Sequence, residues 1–400
     1  MTMKKPIKFF LITGIVIVIG IFGVYIFKGR NQETIHVKHS VTKISAPVRE
    51  VYTTDAATFK LSPESLSDSE KNSRNKLESF LKENMLVDGG FVTNYKAHKD
   101  QNKTELATGH DQLSESAGLW LRNLALTGTQ RQFDAFYKET KKKFFADGQF
   151  TYRINADGKR SDVNASIDDM RIISALIEAE QRFKDSKYQK EIKSLVSTFK
   201  KQSIQNGMLV DFYDVKTKKP AHQISLYYLN IKDMGYIYKV AGLSPKDLEF
   251  EYHILKNGYI SNSFPLYHTR YNYDTGKYED SKQINIIESL LSILYLSEIG
   301  QEKSQSIQFV KNAVTTGTLY NSYNLDGTPA DKSQSAASYA IAAMIGKEIG
   351  DQKLYQQAIQ IVQNFQITDP SSPIDGGIGD PNTLQVYSYN NLMALLAYDY

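Results

Sequence analysis

Two kinds of side chain recur where this sequence could do chemistry: carboxylates in the first turns of apolar helices, and tyrosines in loops. The stretch "ATGHDQLSESAGLWLRNLAL", residues 107 to 126, reads as a helix opening at Asp111. Its Leu113, Ala117, Leu121, Leu124 and Ala125 recur at helical spacing, with Trp120 beside them. Glu115 stands where that apolar face begins. A carboxylate there is either solvated at an edge or faces a water-filled cavity where it can move protons. "NASIDDMRIISALIEAEQRF", residues 164 to 183, repeats the pattern, with Ser166 as N-cap and Asp168 and Asp169 in the first turn. Acids at that position also suit the helix dipole without any further role. "PLYHTRYNYD", residues 265 to 274, interleaves Tyr267, Tyr271 and Tyr273 with His268, Arg270 and Asp274. Flat rings next to hydrogen-bonding groups match what a sugar needs, a face to stack on and partners for its hydroxyls; structural tyrosines in a wet loop are the plainer reading.

Other chemistries lack their equipment. There is no G-x-x-x-x-G-K-[ST], H-E-x-x-H or G-x-S-x-G, and no cysteine for a thiolate ligand, a nucleophile or a disulfide. The seven histidines have no ligand spacing, and "DGGIGDPNT" (375–383) lacks the alternating acids of a calcium loop, so it reads as a turn before the last helix. No metal or soluble cofactor is called for. Paired carboxylates with aromatics remain, the equipment of glycoside hydrolysis.

The elements that must position these residues are helices. Candidates fall near 69–84, 113–126, 130–144, 165–183, 186–204, 230–242, 245–256, 281–299, 301–314, 333–349, 351–366 and 385–398. Short strands are expected in "GQFTYRIN" and "GMLVDFYDV". Twelve helices joined by Gly-, Asp- and Asn-bearing loops fit an all-α (α/α)6 toroid, six inner and six outer; a solenoid, which usually repeats its sequence more sharply, is the alternative that a helix count alone leaves open. Upstream, "FFLITGIVIVIGIFGVYIF" (9–27) is uncharged and, at about 20 residues, long enough to cross a bilayer. The expected organisation is therefore a cytoplasmic tail and signal anchor over 1–30, an extracellular stalk over 31–65, and a catalytic domain over 66–400. Lys4, Lys5, Lys8, Lys28 and Arg30 outweigh the whole formal charge of +4, which leaves the remainder near neutral and without a footprint for nucleic acid. "KETKKKFF" (138–145) reads as a solvated helix face.

The segment Ala165 to Phe183 resembles the signature of glycoside hydrolase family 8, A-[ST]-D-[AG]-D-x-x-[IM]-A-x-[SA]-[LIVM]-[LIVMG]-x-A-x-x-x-[FW]. Ala165, Ser166, Asp169, Ile172, Ala175, Leu176, Ile177, Ala179 and Phe183 match in register, while Ile167, Asp168 and Ile173 depart from it. "SESAGLWL" resembles that family's S-E-G-x-G helix start through Ser114, Glu115 and Gly118. The resemblance implies an (α/α)6 fold from about residue 70 onward and inverting hydrolysis of a β-linked polysaccharide. In that reading Glu115 is the general acid, and Asp169, with Asp168 beside it, holds the sugar. The family's base is an Asp in a Y-D-x-x-R-x-P-W-R setting. "YNYD" lies in the corresponding part of the chain, so Asp274 is the expected base, with Asp280, Glu279 and Asp233 in reserve.

Trp120, Tyr267, Arg270, Tyr271 and Tyr273 are the expected subsite residues. A single tryptophan among many tyrosines points away from crystalline cellulose and toward a soluble or substituted exopolysaccharide. Alternatives are a tethered polymer-binding protein without activity, and a lyase on a similar toroid using His268, Arg270 and Tyr271.

Overall fold

The computed structural model describes residues 41–53, 66–97 and 107–400. In chain order its helices are α1 (Ala46–Thr53), α2 (Asp68–Asn84), α3 (Ser114–Thr127), α4 (Gln130–Phe144), α5 (Ser166–Phe183), α6 (Lys187–Ser203) and α7 (Ile231–Ala241). There follow α8 (Pro245–Asn257), α9 (Ile286–Ser297), α10 (Ser304–Thr316), α11 (Ala336–Glu348), α12 (Gln352–Phe365) and α13 (Ser388–Asp399). Every helix expected from periodicity is present. Side-chain caps fix many of their starts: Ser67, Thr129 and Ser244 close capping boxes, and Asn230, Asn285 and Asp351 accept from first-turn amides.

The helices alternate between two layers. α3, α5, α7, α9, α11 and α13 touch one another in that order, and α13 returns to α3 to close the ring. Most of these inner helices are buried nearly all round, as helices enclosed by others must be, and α5 buries charged residues as well as apolar ones. α9, for example, buries eleven of its twelve residues. Outer helices such as α4, α6 and α12 bury one face only. Strict alternation of in and out makes the inner helices parallel. Their N-termini point to one end of the ring, where short strands lead directly into α3 and α9, while α7 begins deeper, with Asp233 of its first turn meeting Ser174 in the middle of α5. This agrees with an (α/α)6 toroid. The strands expected in 148–155 and 207–215 are among these short pieces.

Three expectations change. α3 starts at Ser114 rather than Asp111, because Gln112–Leu113 is taken up by antiparallel pairing with Arg153–Ile154. Ser166 is not the N-cap of α5: Ala165 holds that position, and the Ser166 hydroxyl is buried inside the first turn. Residues 46–53, inside the expected stalk, are instead helix α1 docked on α7 and α8. Gly235 of α7 lets the Val51 carbonyl approach so closely that a Cβ there would lie 2.7 Å from its oxygen. Ser45 donates from its backbone amide and its hydroxyl to Glu249, at 2.8 and 2.9 Å. The apolar segment 9–27 lies outside the described residues; among those described, no helix is long and apolar enough to cross a membrane.

Candidate active site

The start of α3 is held by the loop before it. Asp111 is fully buried and accepts from Arg153 Nη2 (2.7 Å) and from the amides of Thr108 (3.1 Å) and Ala156 (2.9 Å). Ser114 donates its amide to the Tyr152 carbonyl at 3.1 Å. These bonds aim Glu115, in the first turn, at the end of the ring where the inner helices begin. Gly118, one turn on, presses against α5: a Cβ there would sit 3.0 Å from Arg171 Cβ. That close approach brings α5's polar residues to Glu115. Arg171 Nη1 lies 3.4 Å from Glu115 Oε2 and 2.9 Å from Asp168 Oδ1, and Ser114 Oγ donates to Asp168 Oδ2 at 2.9 Å.

The electrostatics separate the two acids. Burial pushes the Glu115 carboxyl up to about 8; Arg171 opposes this and the Asp168 charge adds to it. Desolvation thus outweighs the helix N-terminus, which favours the charged form. Asp168 is also pushed up by burial, yet it takes hydrogen bonds from Ser114, Arg171 and the Glu115 amide. With those donors fixed on Asp168 and only a long contact on Glu115, the proton of this pair resides on Glu115.

Asp169 does not join them. Neighbours on a helix are turned about 100° apart. Its carboxyl points outward to accept from the Phe150 amide (3.0 Å) and Asn164 Nδ2 (2.6 Å), and burial pushes it up to about 7. The carboxylate beside Glu115 is Asp168, one of the positions that departs from the family signature.

Most of the expected aromatic subsites are core. Trp120, five residues after Glu115 and so roughly 140° round the helix, is 3% exposed and packs on Phe91 and Phe136. Tyr267 is 1% exposed, edge-on to Tyr259. Tyr273 is 2% exposed and donates to the Leu209 carbonyl at 2.6 Å. Tyr271 packs edge-on to Tyr273 and Tyr278 within the sheet of Gln223–Ser225, Arg270–Asn272 and Lys277–Glu279. These rings build that sheet.

Asp274 sits on the turn of the same hairpin, half exposed, 3.0 Å from His222 Nδ1. Four residues back along the chain, on the strand Arg270–Asn272, Arg270 is the part of the hairpin whose charge acts on Asp211, Asp280 and Glu288. Of the reserve bases, Glu279 pairs in register with Arg270, and Asp280 is engaged by His268 (2.6 Å) and the Thr269 amide (2.9 Å). Asp233 is buried in the ring interior, bonded to Ser174 (2.6 Å), in a cavity shared with Arg122, Glu178, Glu298 and Tyr400.

Sequence reasoning missed four groups. Tyr227, buried in the 3-10 turn Leu226–Tyr228, senses the charges of Glu288, Asp211 and Glu115, and Tyr389 of α13 those of Glu115, Arg171 and Asp168. Arg171 is the third. The fourth, Glu288, lies in the first turn of α9 and is pushed up to about 7, chiefly by burial. The signal for Glu288 was the one that exposed Glu115, a lone carboxylate at the head of an apolar helix, here "NIIESLLSIL". Among the described residues no group of three or more His, Cys, Asp and Glu side chains could hold a metal ion.

Comparison with known proteins agrees with this fold. No family model matches the chain. The Bacillus subtilis protein YdaJ, whose name marks it as a candidate lipoprotein, is 27% identical over 335 residues, covering 80% of this chain and 85% of its own. An alpha-amylase from Clostridium perfringens superposes with a TM-score of 0.75 at 29% identity, over 82% of this chain and 97% of that one. Endoglucanase Cel10, a family 8 glycosyl hydrolase from Klebsiella pneumoniae, does so at 0.55 and 14% identity, over 81% and 97%. The resemblance to glycoside hydrolase family 8 holds at the level of fold: the chain is a divergent protein of that architecture.

Proposed function

We propose that the protein is a glycoside hydrolase that cleaves a polysaccharide with inversion, using Glu115 as its general acid. One observation carries this reading: a glutamic acid at the open end of a helical ring, its carboxyl pushed up to about 8 by burial, beside an Asp168 that takes hydrogen bonds from Ser114 and Arg171. Protonated Glu115 gives its proton to the leaving glycosidic oxygen. Asp168, fixed by Ser114 and Arg171, accepts a sugar hydroxyl and discourages early ionisation of Glu115. Water attacks the anomeric carbon from the opposite face, activated by a second carboxylate across the ring.

The family resemblance favours a β-linked polymer. The alpha-amylase similarity favours a second reading, an α-linked glucan, since that relative is the more alike in both sequence and fold. Tethering outside the membrane is part of the proposal. These 400 residues hold no cysteine to carry a lipid, so the apolar segment 9–27 would be the anchor.

The test is reducing-end release by the full chain from β-glucans, xylan, chitosan, bacterial exopolysaccharide, starch and glycogen, with Glu115→Gln in parallel. Release that falls by about 10²–10⁴-fold in the variant supports the acid, and the responding polymer decides the linkage. Retention of a polymer on a column without release would make this a binding protein. Products absorbing near 235 nm, as unsaturated sugars do, would make it a lyase.

A further inference from the structure

We infer that Glu288 is the general base of this site, poised across the ring from Glu115. The inference rests on the hydrolase reading above and names the residue that reading leaves open. α3 and α9 are three steps apart in a closed ring of six, so they face each other across the lumen. Glu115 is the second residue of α3 and Glu288 the third of α9, which places both at the end where the inner helices begin. Glu288 is the one residue of α9 that keeps partial exposure; the other eleven are fully packed into the protein. Its carboxylate therefore opens on the lumen.

The carboxylates around it are occupied. Asp211 accepts from the Ser225 amide (2.6 Å), Ser225 Oγ (3.1 Å) and Gln223 Nε2 (2.9 Å). Asp280 is held by His268 and Thr269, and Asp168 by Ser114 and Arg171. No described side chain or amide donates to the Glu288 carboxylate, which leaves both oxygens for a water. Tyr227 lies between the two glutamates electrostatically, since the charges of both act on its phenol. The groups that tune Glu288 are Arg270, which favours its ionised form, and Asp211 and Asp280, which disfavour it.

In the step this geometry serves, Glu288 takes a proton from water as the water oxygen bonds to the anomeric carbon. The bond from that carbon to the leaving oxygen breaks, and that oxygen takes the proton of Glu115. One water is consumed, and the two glutamates exchange protons with solvent to reset. An acid and a base on opposed walls of a lumen give inversion. Adjacent carboxylates such as Glu115 and Asp168 leave no room for a sugar and a water between them.

The test compares wild type, Glu115→Gln, Glu288→Gln and Glu288→Ala in the full chain. Substrates are the polymer that wild type cleaves, β-cellobiosyl fluoride and α-maltosyl fluoride. Fluoride departs without a proton from the enzyme, so loss of the acid and loss of the base separate. We expect Glu115→Gln to lose polymer cleavage but keep fluoride release within about tenfold, and Glu288→Gln to lose both by about 10²–10⁴-fold. Azide should restore turnover of Glu288→Ala and yield the glycosyl azide of inverted configuration. Thermal unfolding guards against a folding defect: Glu288→Gln removes an unbonded carboxyl and should melt no lower than wild type. Fluoride release or polymer cleavage by Glu288→Gln within about tenfold of wild type overturns the base assignment alone. A wild type inert toward every polymer and both fluorides overturns the hydrolase reading, and the base with it.

Discussion

Glu115 and Asp168 show how a helix terminus can hold a protonated acid. The α3 N-terminus favours the charged form of Glu115, but burial outweighs it and sets the carboxyl at about 8. Ser114 and Arg171 spend their hydrogen bonds mainly on Asp168. A pH profile follows. Glu288, near 7, must be ionised to take a proton, so kcat/KM should rise with pH up to about 7. Glu115, near 8, must be protonated, so kcat/KM should fall above about 8. Rates across pH 5 to 10 check this: a narrow optimum between those values is expected, with its alkaline limb absent from fluoride hydrolysis by Glu115→Gln. An optimum near pH 5 would mean that Glu115 is not desolvated as the structure has it. Glu115 itself was legible in the sequence, because a carboxylate on an apolar helix contradicts its own periodicity. Asp168 against Asp169 was not, since both sit in the first turn and only the close α3–α5 contact at Gly118 decides which one meets Glu115.

At the scale of elements, period sufficed for the twelve main helices because their apolar stripes are long, and Ser, Thr, Asn or Asp marks eight of their starts, though not those of α3, α5, α10 and α13. The short helix α1 escaped notice: eight residues give barely two turns of pattern, and its reason to fold is the surface of α7 and α8. The aromatic loop misled for the opposite reason. Tyr267 and Tyr273 have the composition of a sugar subsite, yet their rings find partners within their own sheet and loop. The contact of α1 with Gly235 makes a prediction at this scale. Gly235→Ala gains roughly 1 kcal/mol of helix propensity but drives a methyl into the Val51 carbonyl, and overpacking costs about 1–3 kcal/mol. A lower melting temperature and faster proteolysis near residues 46–53 are expected, with kcat/KM unchanged. Unaltered melting and proteolysis would show that α1 is not docked there.

At the scale of the whole molecule, the ring decides which residues can cooperate. The helix count pointed to a toroid, but only its closure, α13 returning to α3, shows that α3 and α9 are opposed. That opposition lies 173 residues apart in sequence from Glu115 to Glu288, beyond the reach of any spacing rule, and it is the ground on which we propose Glu288 at the head of α9 as base in place of Asp274. The opposite arrangement, two carboxylates about 5–5.5 Å apart, would give retention through a covalent glycosyl intermediate. The measurement that separates the two most directly is proton NMR of freshly released product, followed before mutarotation erases the anomeric signal. The account predicts that the first sugar to appear carries the anomeric configuration opposite to that of the cleaved bond. Initial release with the configuration kept would contradict it, because Glu115 and Glu288 on opposed helices could not then be the acid and base of one reaction.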